Sequence, residues 1–262
     1  MEHMDMSRLA GRVAVVTGAA GGLGSAVAED LFLSGLEVVA IDVHPDRLQV
    51  SVGTLAQRLG QKGAGGSVHP VVADITKEED LQRAFRWVEE SLGGVAVIVN
   101  NAGVAPMKPL EDSDNELLST TFGVNVLGLA AATREAINSM KRHGITDGHV
   151  VNIGSTVGHA ESVTKSLLEM FPMPAYIASK HAVIGFNRAL RAQLRTQGVN
   201  VRVTDLSPGT IQTPFVPEEA VRALENRVMQ PADVARAVRF VLSSPPHVEI
   251  VHLTIQPAGE VW

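Results

Sequence analysis

The only tyrosine of the chain, Tyr176, is followed four residues later by Lys180 in the stretch YIASK. On a helix, residues four apart lie on the same face, so this spacing would place an ammonium beside a phenol. A free tyrosine has a pKa of about 10, too high for a base at neutral pH, but a nearby cation lowers it. Such a phenol could take a proton from an alcohol as hydride leaves, or return one to a carbonyl. Ordinary amphipathic helices carry the same spacing, so the pair alone does not decide the function.

A second stretch with a chemical use is the glycine-rich TGAAGGLG, residues 17–24, which follows an apolar run. A strand, a glycine-rich turn and a helix form the geometry that binds a pyrophosphate, because the helix N-terminus carries free N–H groups and the positive end of a dipole. We expect Gly18 to make the turn, Gly21 or Gly22 to lie against phosphate, and Gly24 to let the helix pack closely. A tight turn without a ligand is the alternative.

Asp42 ends the run EVVAID, where the second strand should terminate. A carboxylate at this point can accept hydrogen bonds from both ribose hydroxyls of an adenosine, and it would repel a 2′-phosphate. No arginine stands in the glycine-rich turn to offset that repulsion. The residue therefore favours NAD over NADP. The alternative is that Asp42 begins a solvated loop and that Arg47 supplies a compensating cation.

Three further predicted strands end in polar or glycine-rich residues. These ends are VNNAG with Asn100, Asn101 and Gly103, VNIGS with Ser155, and LSPGTIQT with Pro208, Gly209 and Thr213. The carboxyl ends of parallel strands meet at one edge of a sheet, where such sheets bind ligands. We expect the three ends to contribute to one site.

The elements that must position these residues alternate along the chain. Short apolar runs rich in β-branched residues predict strands at 13–16, 37–41, 68–72, 95–99, 150–153, 199–206 and 252–255. Segments with helical spacing predict helices at 23–34, 46–59, 78–91, 117–142, 176–197 and 231–242. Buried strands alternating with helices are typical of a parallel sheet covered on both faces. The sequence predicts one α/β domain over residues 1–262, a doubly wound Rossmann fold with a seven-stranded parallel sheet.

Two segments are less regular and are candidate substrate lids. Residues 161–174 carry an apolar group, Leu167, Leu168, Met170, Phe171 and Met173. Residues 214–231 are bracketed by prolines, with a helical stretch near 218–228.

Composition excludes several classes of protein. The 262 residues have a net charge of −6 and no run of basic residues, so neither nucleic acid nor a membrane surface is expected as a partner. The absence of cysteine excludes disulfides and thiol catalysis. The nine histidines, including His149, His159 and His181, show no metal-ligand spacing, so we expect no metal site and place them on the surface or in loops. The polar N-terminus does not resemble a signal peptide, and we expect a cytoplasmic protein.

Taken in order, these motifs resemble the short-chain dehydrogenases/reductases in their compact form. The matching stretches are TGAAGGLG, ADI at 73–75, NNAG, FGVNVLG with Asn125, GSTVG with Ser155, YIASK and PGTIQT. The resemblance spans about residues 9–257. One such motif is weak, whereas seven in register are specific.

The resemblance implies a catalytic role for four residues. Ser155 would hydrogen-bond the substrate oxygen, and Tyr176 would be the general acid/base. Lys180 would lower the tyrosine pKa and hold the nicotinamide ribose. Asn125 would position a water that links Lys180 to solvent. A structural role for Asn125, which falls within a long predicted helix, is the alternative.

The resemblance also implies a set of cofactor-binding residues. Asp74 and Ile75 would contact adenine, although Asp74 could instead cap the following helix. Ile211 and Thr213 would bind the nicotinamide carboxamide. The full set implied to bind NAD is Gly18, Gly21, Gly22, Leu23, Gly24, Asp42, Asp74, Ile75, Asn101, Gly103, Tyr176, Lys180, Ile211 and Thr213.

The chain departs from the family pattern in two places. Ser155 and Tyr176 are 21 positions apart, more than is usual, and the surplus falls in 161–174. This apolar insertion is either a substrate wall or a packing or oligomer contact. The C-terminus, SSPPHVEIVHLTIQPAGEVW, and DGHVVNIGS upstream look like a subgroup that includes farnesol dehydrogenases and related carbonyl reductases. Many members of that subgroup use NADP, but Asp42 departs from their pattern.

These features together predict an NAD-dependent enzyme that interconverts a small-molecule apolar secondary or allylic alcohol and its carbonyl. A dehydrogenase of sugars, polyols or acyl-thioesters, or an NAD(H)-binding protein of low turnover, are the alternatives. Helices 117–142 and 176–197 are rich in small apolar residues, and their family equivalents form subunit interfaces. We therefore expect a homodimer or homotetramer.

Overall fold

Seven strands form a single sheet in the computed structural model, which describes residues 4–59, 66–159, 171–214, 216, 218–223 and 228–258. The strands are β1 Val13–Thr17, β2 Glu37–Asp42, β3 Val68–Val72, β4 Val95–Asn100, β5 Gly148–Ile153, β6 Val201–Pro208 and β7 His252–Ile255. They lie in the order β3-β2-β1-β4-β5-β6-β7, and every neighbouring pair is parallel. The predicted seven-stranded parallel sheet is confirmed.

Helices cover both faces of the sheet. They are α1 Gly22–Leu33, α2 Pro45–Leu59, α3 Glu78–Leu92, α4 Asn115–Phe122, α5 Leu129–Arg142, α6 Pro174–Thr196, α7 Glu218–Ala223 and α8 Pro231–Ser243. One buried apolar cluster joins a face of the sheet to α1, α2 and α8. A second joins the opposite face to α3, α5 and α6. The fold is therefore the doubly wound α/β architecture that the alternating pattern predicts.

Helix α3 shows how the sequence selects these faces. Its buried residues, Leu81, Ala84, Phe85 and Val88, recur at intervals of three, one and three positions, which places them on one side of the helix. The intervening charged residues face solvent. Glu78, Glu79 and Asp80 lie in the first turn, where their negative charges interact favourably with the positive end of the helix dipole.

The long predicted helix 117–142 is interrupted. Between α4 and α5, residues Gly123–Gly128 form a π-helical segment, in which each hydrogen bond spans one residue more than in an α-helix. Close packing requires a glycine at its end, because a Cβ at Gly128 would lie 2.8 Å from Ile75 Cγ1. The segment places Asn125 in the interior, where 1% of it is exposed.

The prediction that His149 lies on the surface or in a loop is wrong. His149 is on β5 with 1% of it exposed, and its Nε2 lies 2.8 Å from Thr204 Oγ1. Because Thr204 donates its hydroxyl proton to Ile250 O, it accepts from His149 Nε2–H. Burial holds the pKa of His149 well below its usual range, and Arg202 and Arg8 add to this effect. His181, in contrast, is exposed on α6.

The two candidate lid segments are described in part. Of 161–174, the described residues begin at Phe171, so Leu167, Leu168 and Met170 lie outside the described residues. Of 214–231, the described parts include Val216 and α7, while 224–227 lie outside them. Within the described part of the chain, no helix combines the length and the apolar character needed to cross a membrane.

Candidate active site

A cavity of about 770 Å³ lies at the carboxyl edge of the sheet, where the strand order reverses between β1 and β4. Segments that follow each of the strands β1 to β6 form its walls. The predicted site residues line it, apart from Asn125 and the buried Asn100: Gly18, Gly21, Gly22, Leu23, Gly24, Asp42, Asp74, Ile75, Asn101, Gly103, Ser155, Tyr176, Lys180, Ile211 and Thr213. Motifs that are far apart in the sequence therefore meet in one place.

The glycine-rich turn between β1 and α1 requires glycine for steric reasons at two positions. Gly18 has a φ of +65°, and a Cβ there would lie 2.8 Å from Ala102 Cα. A Cβ at Gly24 would collide with the carbonyl oxygen of Gly18. Helix α1 begins at Gly22, so its first N–H groups have no acceptor within the helix. The turn can therefore hold an anion against this helix N-terminus.

The Asp42 carboxylate is fixed at the end of β2 by two backbone N–H groups. Its Oδ2 accepts from Ala20 N and its Oδ1 from His44 N, both at 3.0 Å. Each carboxylate oxygen retains a lone pair that can accept a hydrogen bond from a hydroxyl group. Arg47 and His44 also line this part of the cavity. The Asp42 carboxylate can therefore accept hydrogen bonds from a ribose, and Arg47 is present in the same cavity lining as the alternative predicts.

Asn101 supports the glycine-rich turn. Its side-chain Nδ2 donates to Thr17 O at 3.0 Å and to Gly18 O at 3.1 Å. The Thr17 hydroxyl in turn accepts from the backbone N–H groups of Asn101 and Ala102. The resemblance implies that Asn101 contacts the cofactor, whereas its amide N–H groups are used to brace the turn. Thr17, which the sequence reasoning missed, is the other half of this brace.

Asp74 and Ile75 lie together on the cavity wall after β3. Asp74 Oδ1 accepts from the backbone N and the hydroxyl of Thr76, at 2.9 and 2.6 Å. This arrangement is a local turn that precedes α3. The helix begins at Glu78 with Lys77 as its N-cap and no side-chain cap, so the alternative that Asp74 caps it is wrong. Ile75 is buried against Gly128 and presents an apolar surface to the cavity.

The segment after β6 crosses the glycine-rich turn. A Cβ at Gly22 would lie 3.2 Å from Thr213 Cγ2, so the two stretches are close. Ile211 forms a parallel bridge with Met229, and Gln212 N donates to Met229 O at 2.8 Å. These bonds hold the segment that carries Ile211 and Thr213, both of which line the cavity.

Ser155, Tyr176 and Lys180 lie together on the cavity wall. Ser155 follows β5, and its side chain forms a hydrogen bond with the Tyr176 phenol. Tyr176 and Lys180 are in the first turns of α6, which begins with proline at Pro174. The Lys180 Nζ donates to Ile153 O at 2.8 Å and lies 5.6 Å from the centre of the Tyr176 ring. The predicted phenol and ammonium therefore share one face of the helix.

Asn125 is linked to these residues through their helix and does not line the cavity. Its Oδ1 accepts from Val104 N, and its Nδ2 donates to Val104 O and to Ser179 Oγ, all at 2.9 Å. Ser179 Oγ donates to Tyr176 O at 2.7 Å. The Asn125 side chain thus joins the loop after β4 to the first turn of α6.

Sequence comparisons with known proteins identify the family of the chain. Residues 12–223 match the family described as short chain dehydrogenase. The chain belongs to this family. It is 38% identical to the farnesol dehydrogenase of Aedes aegypti over 97% of this chain and 99% of that protein. It is 35% identical to dehydrogenase/reductase SDR family member 11 of Homo sapiens over the full length of both.

Solved structures of short-chain dehydrogenases share the fold. An alcohol dehydrogenase from Thermococcus sibiricus, complexed with 5-hydroxy-NADP, superposes with a TM-score of 0.79 and is 27% identical, covering 95% of this chain and 98% of that chain. A dehydrogenase/reductase from Sinorhizobium meliloti superposes with a TM-score of 0.81 and is 28% identical, covering 97% and 96%. The chain is therefore an oxidoreductase of the short-chain dehydrogenase family, whose members bind a nicotinamide cofactor.

Electrostatics at the short-chain dehydrogenase site differ from the sequence expectation in one respect. Burial raises the pKa of Tyr176 to about 12, and the hydrogen bond from Ser155 only partly opposes this. Burial also lowers the pKa of Lys180 to about 8, against the attraction of Asp205. The sequence predicts that Lys180 lowers the tyrosine pKa, but loss of solvent around the phenol is the larger effect. The phenol is therefore a proton donor at neutral pH in the protein alone.

An apolar wall stands beside Tyr176. Val157, Phe171 and Met173 form a small buried cluster, and Met107 and Val216 pack against it. All five residues also line the cavity. The described end of the insertion 161–174 thus forms part of the site, as the substrate-wall interpretation requires.

A polar cluster that the sequence reasoning missed lies beneath this site. His159, Asp205 and His252 each have a possible ligand atom, and these atoms all lie within 4.8 Å of one another. Asp205 is on β6 with 3% of it exposed, and it pairs in register with His252 on β7. Spacing in the sequence could not reveal this cluster, because its three members come from three different elements.

Proposed function

We propose that the chain is an NAD-dependent enzyme that interconverts an apolar secondary or allylic alcohol and its carbonyl, with Tyr176 as general acid/base. The observation that carries this proposal is the hydrogen-bonded pair of Ser155 and Tyr176, with the Lys180 ammonium 5.6 Å from the phenol ring, on the wall of a cavity. The glycine-rich turn lines the same cavity.

The residues of the glycine-rich turn and their neighbours fit a dinucleotide. The backbone at Gly18 and Gly24 is so close to its neighbours that side chains are excluded, which leaves the N-terminus of α1 open to a pyrophosphate. Asp42 would accept hydrogen bonds from the adenosine ribose, and Lys180 would hold the hydroxyls of the nicotinamide ribose. When bound, the nicotinamide accepts or supplies hydride.

The chain's own residues would handle the proton. Ser155 would donate a hydrogen bond to the substrate oxygen, and Tyr176 would give its proton to that oxygen as the carbonyl is reduced. A pKa of about 12 keeps the phenol protonated and ready to donate. In the oxidising direction Tyr176 must first lose its proton, which requires positive charge nearby. Lys180 supplies one such charge, and an oxidised nicotinamide ring would add another.

The choice of NAD is supported by the Asp42 carboxylate, because a negative charge at the end of the second strand would repel a 2′-phosphate. NADP is the competing cofactor, since the similar Thermococcus sibiricus structure holds 5-hydroxy-NADP and Arg47 lines the cavity here. An apolar substrate is supported by the wall of Val157, Phe171 and Met173 and by the similarity to a farnesol dehydrogenase.

The test is a panel of isoprenoid, steroid and aliphatic alcohols, with sugars and polyols as the polar comparison, assayed with NAD and with NADP by absorbance of the reduced nicotinamide. Apolar alcohols with NAD should give the highest kcat/KM. Tyr176→Phe removes one oxygen atom and should reduce kcat by about 10²–10⁴-fold, the usual contribution of general acid/base catalysis. Binding of NADH to the variant, followed by fluorescence, shows that its cofactor site is intact. Wild-type turnover in Tyr176→Phe would refute the role of Tyr176.

We also propose a homodimer or homotetramer. Leu127 and Phe122, at the junction of α4 and α5, are 67% and 36% exposed, as expected of apolar residues that a second copy covers. Sedimentation velocity at micromolar concentration tests this, and a single monomeric species would refute it.

A further inference from the structure

Asp205 is a buried carboxylate next to the peptide that Lys180 binds. The Lys180 Nζ donates to Ile153 O at 2.8 Å. The next residue is Gly154, and a Cβ there would lie 2.5 Å from Asp205 Oδ1. The ammonium and the carboxylate therefore lie around the same peptide unit. Gly154 is required for this arrangement, because any side chain would occupy the position of the carboxylate.

Charged groups reach Asp205 from each element packed against it. Helix α6 contributes Lys180 and Arg191, β7 contributes His252, and the segment after β5 contributes His159. Arg191 donates to backbone oxygens of β6 and of the residue before β7. On its own strand, Asp205 Oδ1 accepts from Ser207 Oγ at 3.1 Å. Arg191 is also attracted by Glu249, whereas the charge that attracts Lys180 is Asp205.

The electrostatic balance makes Lys180 depend on this carboxylate. Burial disfavours the ammonium and lowers the pKa of Lys180 to about 8, while Asp205 is the charge that opposes the loss. The interaction is reciprocal, since burial raises the pKa of Asp205 and His252, Ser207, His159 and Lys180 oppose that rise. An opposite charge at close range shifts a pKa by about 1–3 units.

We propose that Asp205 is a positioning residue that keeps Lys180 in its cationic form beside Tyr176. The proposal rests on the proposed function, in which Lys180 acts as a cation. Asp205 does not line the cavity, so it acts on the reaction through its negative charge and not through contact with substrate or cofactor.

A divalent metal is the competing occupant of the His159, Asp205 and His252 cluster, because two imidazoles and one carboxylate are common ligands. A dication bound there would engage the carboxylate that attracts Lys180 and would repel the ammonium. The charge balance therefore favours the pairing of Asp205 with Lys180.

The experiment measures the protonation of Lys180 without turnover. The wild-type protein and Asp205→Asn are exposed to a small amine acylating reagent over a range of pH, and acylation of Lys180 is measured by peptide mass spectrometry. The wild-type rate should rise with a midpoint near pH 8, and the midpoint of Asp205→Asn should be lower by about one unit or more. Asp30→Asn is the matched control, because Asp30 is a largely buried carboxylate paired with Arg239 on the far side of the sheet.

The pH dependence of kcat for reduction gives a second measurement. If the proposed function is correct, kcat should fall as Lys180 loses its proton, and Asp205→Asn should move that fall to lower pH by the same amount. An unchanged acylation midpoint in Asp205→Asn would overturn the proposal, whether or not any substrate is found. If Asp205→Asn does not fold, Asp205→Ser provides the same comparison. One equivalent of Zn²⁺ bound by the wild type and lost in Asp205→Asn and His252→Gln would also overturn it, in favour of a metal site.

Discussion

Replacing Asn125 by alanine should lower the free energy of unfolding by about 3–5 kcal/mol. The side chain makes three hydrogen bonds of 2.9 Å, each with a net contribution of about 1 kcal/mol. Both backbone groups of Val104 would lose their partner, and an unsatisfied buried polar group costs about 1–3 kcal/mol. For a domain of this size, in which 1 kcal/mol shifts the midpoint of thermal unfolding by about 2 °C, the midpoint should fall by about 6–10 °C.

The assay is urea and thermal unfolding of wild type, Asn125→Ala and the control Asn115→Ala. Asn115 is exposed at the start of α4, so its replacement should change the unfolding free energy by less than about 0.5 kcal/mol. The activity of Asn125→Ala should fall as well, because Asn125 holds the first turn of α6 through Ser179. A large loss of kcat with an unchanged unfolding free energy would refute this reasoning, since it would show that Asn125 acts only in the chemistry.

Asp42→Asn should raise kcat/KM for NADP relative to NAD by at least about 10-fold, because it removes the negative charge from the site of a 2′-phosphate; initial rates with both cofactors measure the ratio. Gly24→Ala should abolish NADH binding in a fluorescence titration, because its Cβ would collide with the Gly18 carbonyl oxygen, whereas Gly53→Ala, with open space around it, should bind normally. Stability should decrease as the pH falls below about 6.5, because buried His149 stays neutral in the folded state and becomes protonated on unfolding. His149→Gln should flatten this pH dependence of urea unfolding, and a profile identical to wild type would show that other groups cause it.

The sequence predicted the strands, the sheet and most of the cavity because these features depend on local patterns. The run 13–16 is apolar and rich in β-branched residues, so it predicts a buried strand. The positions of Gly18 and Gly24 directly after this run predict the turn that follows it. The bond between Asn125 and Val104 was not predictable, since it requires the π-helical segment that turns Asn125 inward.

Long-range register is the second kind of information that the sequence did not reveal. Asp205 meets His252 because β6 pairs in parallel with β7 at those positions, which no spacing in the chain encodes. The pKa of Tyr176 was predicted in the wrong direction for a related reason. The sequence predicted that Lys180 lies near Tyr176, but it did not reveal how far the surrounding protein excludes water from the phenol.

The π-helical segment Gly123–Gly128 has a consequence for how the chain tolerates change in length. Its wider winding turns the chain through a smaller angle per residue than the roughly 100° of an α-helix, so it takes up one residue more for about the same rotation. Removing a single residue there would let the winding become α-helical while Ala132 and Ala136 keep their places under the sheet. The same deletion would remove the local turn that directs Asn125 inward, so the hydrogen bonds from Asn125 to Val104 should be lost while α5 stays packed.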